Sequence, residues 1–181
     1  MIPKKYSSEA IVLASRKFSE ADRIIVLYTK NYGKLSVIAK GVRKPKSRKR
    51  GHLEVFSHIK FSASRGKTLD IVTEVELINS FLSVRKSLRK ASVAFFFVET
   101  VGRLTRDEAK NERLFALLYH YLKSLPRAKA LRQYRYRFTK DVLVLLGFWP
   151  KLKKMDAPDK ELERVVERQM FSVRVGKKIL V

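Results

Sequence analysis

The sequence of 181 residues predicts an α+β protein, in which a small five-stranded barrel is followed by a helical domain. Three observations carry this expectation. Residues 9 to 77 form short β-branched and apolar runs punctuated by turn residues. After Asn79-Ser80 the apolar residues change to helical spacing. The hydrophobic content of 45% is sufficient for a packed core in a chain of this length. The expected division is 1-79 for the barrel and 80-181 for the helical part. No long linker separates the two, so they are expected to pack together.

Taken in order, Ala10 to Leu13 is a first short apolar strand, and Arg23 to Thr29 is a second. Asn31-Tyr32-Gly33 then turns the chain into an alternating third strand, Lys34 to Ala39, which Lys40-Gly41 breaks. Two further strands are expected from about His52 to Ser64 and from Thr68 to Leu77, joined at the hairpin signal Arg65-Gly66-Lys67. Five strands in so short a stretch favour closure, because a closed barrel removes exposed edges. The OB-fold is a barrel of this kind that binds oligonucleotides.

The first long helix is expected to bury a stripe of Leu88, Ala91, Phe95, Val98 and Val101. A second, from Arg106 to Leu125, turns Leu114, Leu117, Leu118, Tyr121 and Leu122 inward, and Pro126 ends it. A third, from about Ala128 to Leu146, carries the stripe Leu131, Tyr134, Phe138, Val142 and Leu145. Gly147 caps it and Pro150 stops it. Asp159 to Met170 fits a short helix, and residues 171–181 fit either a strand or a tail.

Charge narrows the function. Lys and Arg number 41 against 17 acidic residues, a formal net charge of +24, with an isoelectric point near 10.5. Such an excess repels itself unless a polyanion screens it, which makes nucleic acid the leading partner. An anionic membrane surface or an acidic protein segment is the electrostatic rival. There is no Cys, so disulfides, thiol catalysis and thiolate metal sites are excluded. Residues 1–10 lack the apolar run of a signal peptide, and no stretch approaches the length of a membrane span. A soluble cytoplasmic protein without membrane association is expected.

Two basic segments stand out. Residues 40–50 hold seven cations and no acid, and Gly41 and Pro45 keep them out of regular structure. Lys40, Arg43, Lys44, Lys46, Arg48, Lys49 and Arg50 are therefore candidate phosphate ligands, against the plainer reading of a solvated loop. Phe18, Tyr28 and Tyr32 are candidates for base stacking or for the barrel core, with the core favoured for Tyr28. On the third helix, Arg132, Tyr136 and Lys140 share a polar face with Arg135 at its border. That face suits DNA or an acidic peptide, or is an ordinary charged surface.

Catalytic signals are weak. No Walker A pattern or dinucleotide fingerprint is present. His52, His58 and His120 lack metal-ligand spacing, and His52 and His58 are expected on one face of one strand. Glu74 and Glu76 share a strand face but have no partners nearby in sequence for a Mg²⁺ nuclease site. No catalytic residue, metal or cofactor is expected. The rival readings are an RNA- or ribosome-associated OB-fold protein, a metal-dependent nuclease and a purely structural adaptor.

The order of several motifs adds a family resemblance. Residues 9–13, Phe18-Ser19-Glu20-Ala21-Asp22-Arg23-Ile24-Ile25, Gly33-Lys34 and Ala39-Lys40-Gly41-Val42-Arg43-Lys44-Pro45-Lys46-Ser47 resemble the opening of RecO proteins. Residues 53–56, 73–77 and 111–118 continue the likeness, as does Leu145-Leu146-Gly147-Phe148-Trp149-Pro150. The resemblance implies an N-terminal OB-fold, a helical C-terminal domain, binding of single- and double-stranded DNA, and annealing of complementary strands. It implies work with RecR and with single-stranded-DNA-binding protein, so that RecA loads onto coated DNA at the bacterial nucleoid. It maps DNA contacts onto Lys40, Arg43, Lys44 and Lys46; Arg48, Lys49 and Arg50 are added on charge alone. It also implies that the helical domain receives the acidic C-terminal tail of single-stranded-DNA-binding protein. The sequence departs from the pattern where many members carry a cysteine zinc site: Met155 and Pro158 stand near the first expected pair. Against that pattern, an abbreviated region after Pro150 is expected.

Overall fold

A computed structural model of the protein describes residues 4–47, 49 and 51–166. Its first part holds five strands: β1 (Lys5–Lys17), β2 (Arg23–Thr29), β3 (Gly33–Ala39), β4 (His58–Ser64) and β5 (Asp70–Asn79). They close in the order β1-β2-β3-β5-β4, antiparallel except for a short parallel contact of Val37 and Ile38 with Asp70 and Ile71. This is the five-stranded OB-fold barrel expected from the sequence.

β1 is much longer than its apolar run, because it serves two neighbours. Its first half pairs with β4, from Lys5 opposite Ser64 to Ile11 opposite His58. Its second half pairs with β2 as far as Lys17 opposite Arg23, past a bulge between Val12 and Ala14. Side chains alternate along a strand, so Ala10 and Val12 enter the barrel core while Ile11 and Leu13 join the core of the helical part. β2 divides in the same way: Ile25 and Leu27 face the barrel, and Tyr28 faces the helices. Burial on both faces is why these segments read as unbroken apolar runs.

β4 begins at His58, not at His52. Phe56 adopts a left-handed φ of 57° and breaks the extension. Residues 51–56 instead form turns that drop Leu53 into the barrel core and Phe56 beneath the helices. The Arg85 guanidinium lies 3.9 Å from the Phe56 ring centroid and donates to the carbonyls of Ser80 and Val55.

The helices are α1 (Leu82–Arg85), α2 (Leu88–Leu104), α3 (Glu112–Ser124), α4 (Leu131–Leu145) and α5 (Pro158–Val166). A 3₁₀ turn at Leu125–Arg127 links α3 to α4. α3 starts later than expected because Asn111 caps it, its side chain accepting from the Leu114 amide at 3.0 Å. α4 ends in a Schellman arrangement: Gly147 has φ 80°, its amide donates to Val144, and the Phe148 amide donates to Leu143. The expected extension of the last helix to Met170, and residues 171–181, lie outside the described residues.

α2 is apolar around most of its circumference. Of the stripe predicted from Leu88, Ala91, Phe95, Val98 and Val101, only its C-terminal part is buried: Val98 and Val101 are in the core, whereas Leu88 is 72% and Phe95 46% exposed. Val93, Phe96, Phe97 and Thr100 are buried as well, because α2 packs on β1, α3 and α4 at once. The Leu88–Phe95 side borders an open apolar groove of about 730 Å³ against Leu13, Val26 and Val55 of the barrel side.

The β2–β3 turn interlocks with the chain after α2. Gly33 has φ 72°, and a Cβ there would lie 2.5 Å from the Ala109 carbonyl. Next to it, the Lys34 ammonium donates to the carbonyls of Gly102 (3.0 Å) and Thr105 (2.6 Å) and lies 3.3 Å from Asp107. A cation at these carbonyls satisfies orphan acceptors at the negative end of α2.

Candidate nucleic-acid interface

The basic segment leaves β3 and is laid at once along the β1–β2 turn. The Gly41 amide donates to the Asp22 carboxylate at 2.8 Å, and the Arg43 amide donates to Ala21 at 2.9 Å. Arg43 Nη1 donates to the carbonyls of Ser19 (3.0 Å) and Glu20 (2.7 Å). Val42 is buried in the barrel core and anchors the segment from below. Further on, the Lys49 ammonium donates to the Val72 carbonyl at 3.0 Å, fastening the loop to β5.

This anchoring sorts the predicted residues. Lys40, Lys44 and Lys46 are exposed, with no ion pair or hydrogen bond from their ammonium groups among the described residues. Arg43 and Lys49 are half-buried and brace the loop through the bonds just described. Arg48 and Arg50 lie outside the described residues.

The barrel's pairing brings in cations that the linear sequence did not single out. Lys17 lies opposite Arg23, and Arg23 lies opposite Ala39, next to Lys40. Arg16 and Lys17 are exposed, while Arg23 is 3.9 Å from Glu54. The missed signal was the hairpin register of β1 and β2, which carries the end of β1 to the start of the basic loop.

The three aromatic candidates separate cleanly. Tyr28 is fully buried against the helices; its hydroxyl lies 3.4 Å from the Asn111 carbonyl, and burial raises its pKa to about 12. Tyr32 is half-buried and packs edge-on against Tyr6 at 5.0 Å between centroids. Phe18 is 56% exposed, on the turn that the loop grips.

The histidines differ from the expectation. His52 sits in a turn, so it shares no strand face with His58. His58 is buried at the junction of barrel and α3, with Nε2 3.0 Å from a Glu9 carboxylate oxygen and its ring against Tyr119 and Phe115. Burial lowers its pKa, and Glu9 opposes part of that shift. Glu74 and Glu76 are exposed on β5, opposite Ser62 and Lys60.

The basic face of α4 also needs a correction. Arg132 is exposed, and its Nε donates to the Tyr136 hydroxyl at 3.1 Å; Tyr136 and Lys140 are half-exposed. Arg135 does not border this face. It is 3% exposed, bonded to Asp159 of α5, with its guanidinium carbon 4.5 Å from the Phe96 centroid. Helical spacing explains this, because residues 131, 135, 138 and 142 form one stripe. Arg135 therefore occupies a core position and is unavailable to a ligand.

Comparison with known proteins accords with this geometry. Residues 1–81 match the family model for the recombination protein O N terminal region, and residues 85–157 match the one for its C terminal region. The chain is 38% identical over 151 residues to the DNA repair protein RecO of Pelotomaculum thermopropionicum, covering 83% of this chain and 59% of that protein. It is 35% identical over 152 residues to the DNA repair protein RecO of Dehalococcoides mccartyi, covering 84% and 60%. For the DNA repair protein RecO of Rubrobacter xylanophilus the values are 37% over 148 residues, 81% and 59%. The chain thus spans about 60% of the length of these relatives. No helix among the described residues is long and apolar enough to cross a membrane. With both halves of the chain matched in order, and with an OB-fold barrel joined to helices as the resemblance implied, the protein belongs to the RecO family.

Proposed function

We propose that this protein is a DNA-binding mediator of recombinational repair. In this reading it anneals complementary strands and helps RecA load onto DNA coated by single-stranded-DNA-binding protein, with RecR as a further partner. It works in the cytoplasm at the bacterial nucleoid, and it is not an enzyme. The observation that carries the reading is the set of exposed ammonium groups of Lys40, Lys44 and Lys46, on a loop braced against the β1–β2 turn. The DNA-repair role of the relatives points the same way.

The chemistry asked of the protein is modest. Two complementary strands repel each other through their phosphates. Cations held on a fixed loop neutralise those phosphates and release condensed counterions, so that bases can meet and pair. No proton transfer or covalent step is required. Arg132, Tyr136 and Lys140 on α4 would hold the acidic tail of single-stranded-DNA-binding protein, which raises the local concentration of the mediator on coated DNA.

The test is annealing of two complementary oligonucleotides coated with single-stranded-DNA-binding protein, with wild type and with the Lys40→Ala/Lys44→Ala/Lys46→Ala variant. Wild type should accelerate annealing and the variant should not. Tight binding to bare DNA without acceleration would reject the mediator role. Preference for RNA over DNA in competition would turn the reading to an RNA-binding protein.

A further inference from the structure

The β1–β2 turn holds a large apolar side chain in solvent, and the fold keeps its backbone in place. The Phe18 amide donates to the Asp22 carbonyl at 3.2 Å, closing the turn. Four hydrogen bonds from Gly41 and Arg43 then fix the turn to the basic loop. Phe18 thus sits on a fixed turn, 56% exposed, preceded by the exposed cations Arg16 and Lys17.

An isolated exposed Phe is ordinary on a protein surface. This one differs in what surrounds it. Its turn follows the exposed cations Arg16 and Lys17 and is bonded to the loop that carries the exposed Lys40 and Lys44. A single nucleic-acid strand offers both matching chemistries at once, with phosphates for the cations and a flat π-face for the ring. A duplex offers only the phosphates, because its bases are already stacked on each other.

We propose that Phe18 is a stacking platform for an unpaired nucleobase, and that it gives this barrel its preference for single strands over duplex. The inference rests on the nucleic-acid-binding function proposed above and adds the residue that senses strandedness. Lys40, Lys44 and Lys46 supply affinity common to both forms of DNA, and Phe18 supplies the difference. The stack also places an unpaired base beside the neutralising loop, where a complementary strand can find it.

The test compares wild type with Phe18→Leu, Phe18→Ala and Phe18→Trp. Affinity for an oligo-dT strand and for a blunt duplex is measured by fluorescence anisotropy across a salt series. Phe18→Leu and Phe18→Ala should weaken oligo-dT binding by about tenfold, toward the low end of what one base–aromatic stack contributes. Duplex affinity and the salt slope should stay as in wild type, since no charge is removed, and Phe18→Trp should restore strand binding. Full strand binding by Phe18→Leu would overturn the proposal, because an apolar contact would then suffice. Equal losses on strand and duplex would overturn it as well. Failure of wild type to bind either form would reject the parent reading, an outcome distinct from both.

Discussion

The loop after β3 and helix α4 are both rich in cations, but they hold them differently. On the loop, three lysines project into solvent while Arg43 and Lys49 are bonded to backbone carbonyls of neighbouring elements. On α4, Arg132 engages Tyr136, and Arg135 is turned into the core against Asp159 and Phe96. A loop can present successive side chains outward. A helix allots each position to a face, so a cation at core spacing needs a buried partner or must be lost. Charge in a window of sequence therefore measures capacity for a polyanion only after the backbone has assigned directions.

The largest effect expected from this contrast is on DNA binding. Lys40→Ala/Lys44→Ala/Lys46→Ala should weaken single-strand binding roughly a hundredfold near 150 mM salt and lower the salt slope by about two, one phosphate contact for each lysine. Arg132→Ala/Lys140→Ala should cost only a few-fold on bare DNA. Equal losses in titrations of the two variants would break the comparison.

Next in size is a stability effect confined to α4. Arg135→Ala should destabilise the protein by about 3–5 kcal/mol in urea unfolding, because it leaves the Asp159 carboxylate buried without its partner. Arg135→Met together with Asp159→Leu should recover most of that loss, since buried pairs are often replaceable by apolar side chains of similar volume. A stable Arg135→Ala protein with weakened DNA binding would show that the guanidinium serves the surface after all.

The smallest effect sharpens the comparison at the seam between the two regions. His58 lies there with its pKa below the ordinary 6.5, lowered by burial, while Glu9 raises it and Lys30 lowers it further. The unfolded chain therefore binds a proton more readily, so this contribution to stability is present above pH 6.5 and is lost as pH falls toward the folded-state value. His58→Gln, which does not titrate, should lose less stability between pH 7.5 and 5 than wild type. Parallel urea-midpoint curves for the two proteins would count against this role.

Much of this was legible in the sequence, and the failures have physical causes. The β2–β3 hairpin, the closed barrel and the Gly147 cap follow from alternation and turn chemistry that act locally. The full length of β1 was hidden because its outer positions, Lys5, Ser7 and Glu9, are polar and carry no apolar signal. A left-handed φ at an aromatic residue has no sequence signature, so nothing in the sequence sets Phe56 apart from the strand that follows. On α2 the helical period finds Val98 and Val101 but not Val93, Phe96 and Phe97, because the helix is apolar on several sides and its partners choose among them. The exposure of Lys40, Lys44 and Lys46 follows from charge and loop composition alone. The placing of Arg16, Lys17 and Arg23 does not, since only the strand register brings them alongside. The formal charge of Arg135 masks its core spacing.

The interlock of Gly33 and Lys34 with the end of α2, together with the inward course of Ile11, Leu13, Tyr28 and Phe56, bears on how this protein can be taken apart. A fragment ending at Asn79 would bare those four side chains to water and leave Lys34 without its acceptors. The barrel is therefore no portable cassette. Chimeras that exchange it between relatives should fold when α1 to α3 travel with it and precipitate when the cut is made at the last strand, where the bared apolar face would meet other copies.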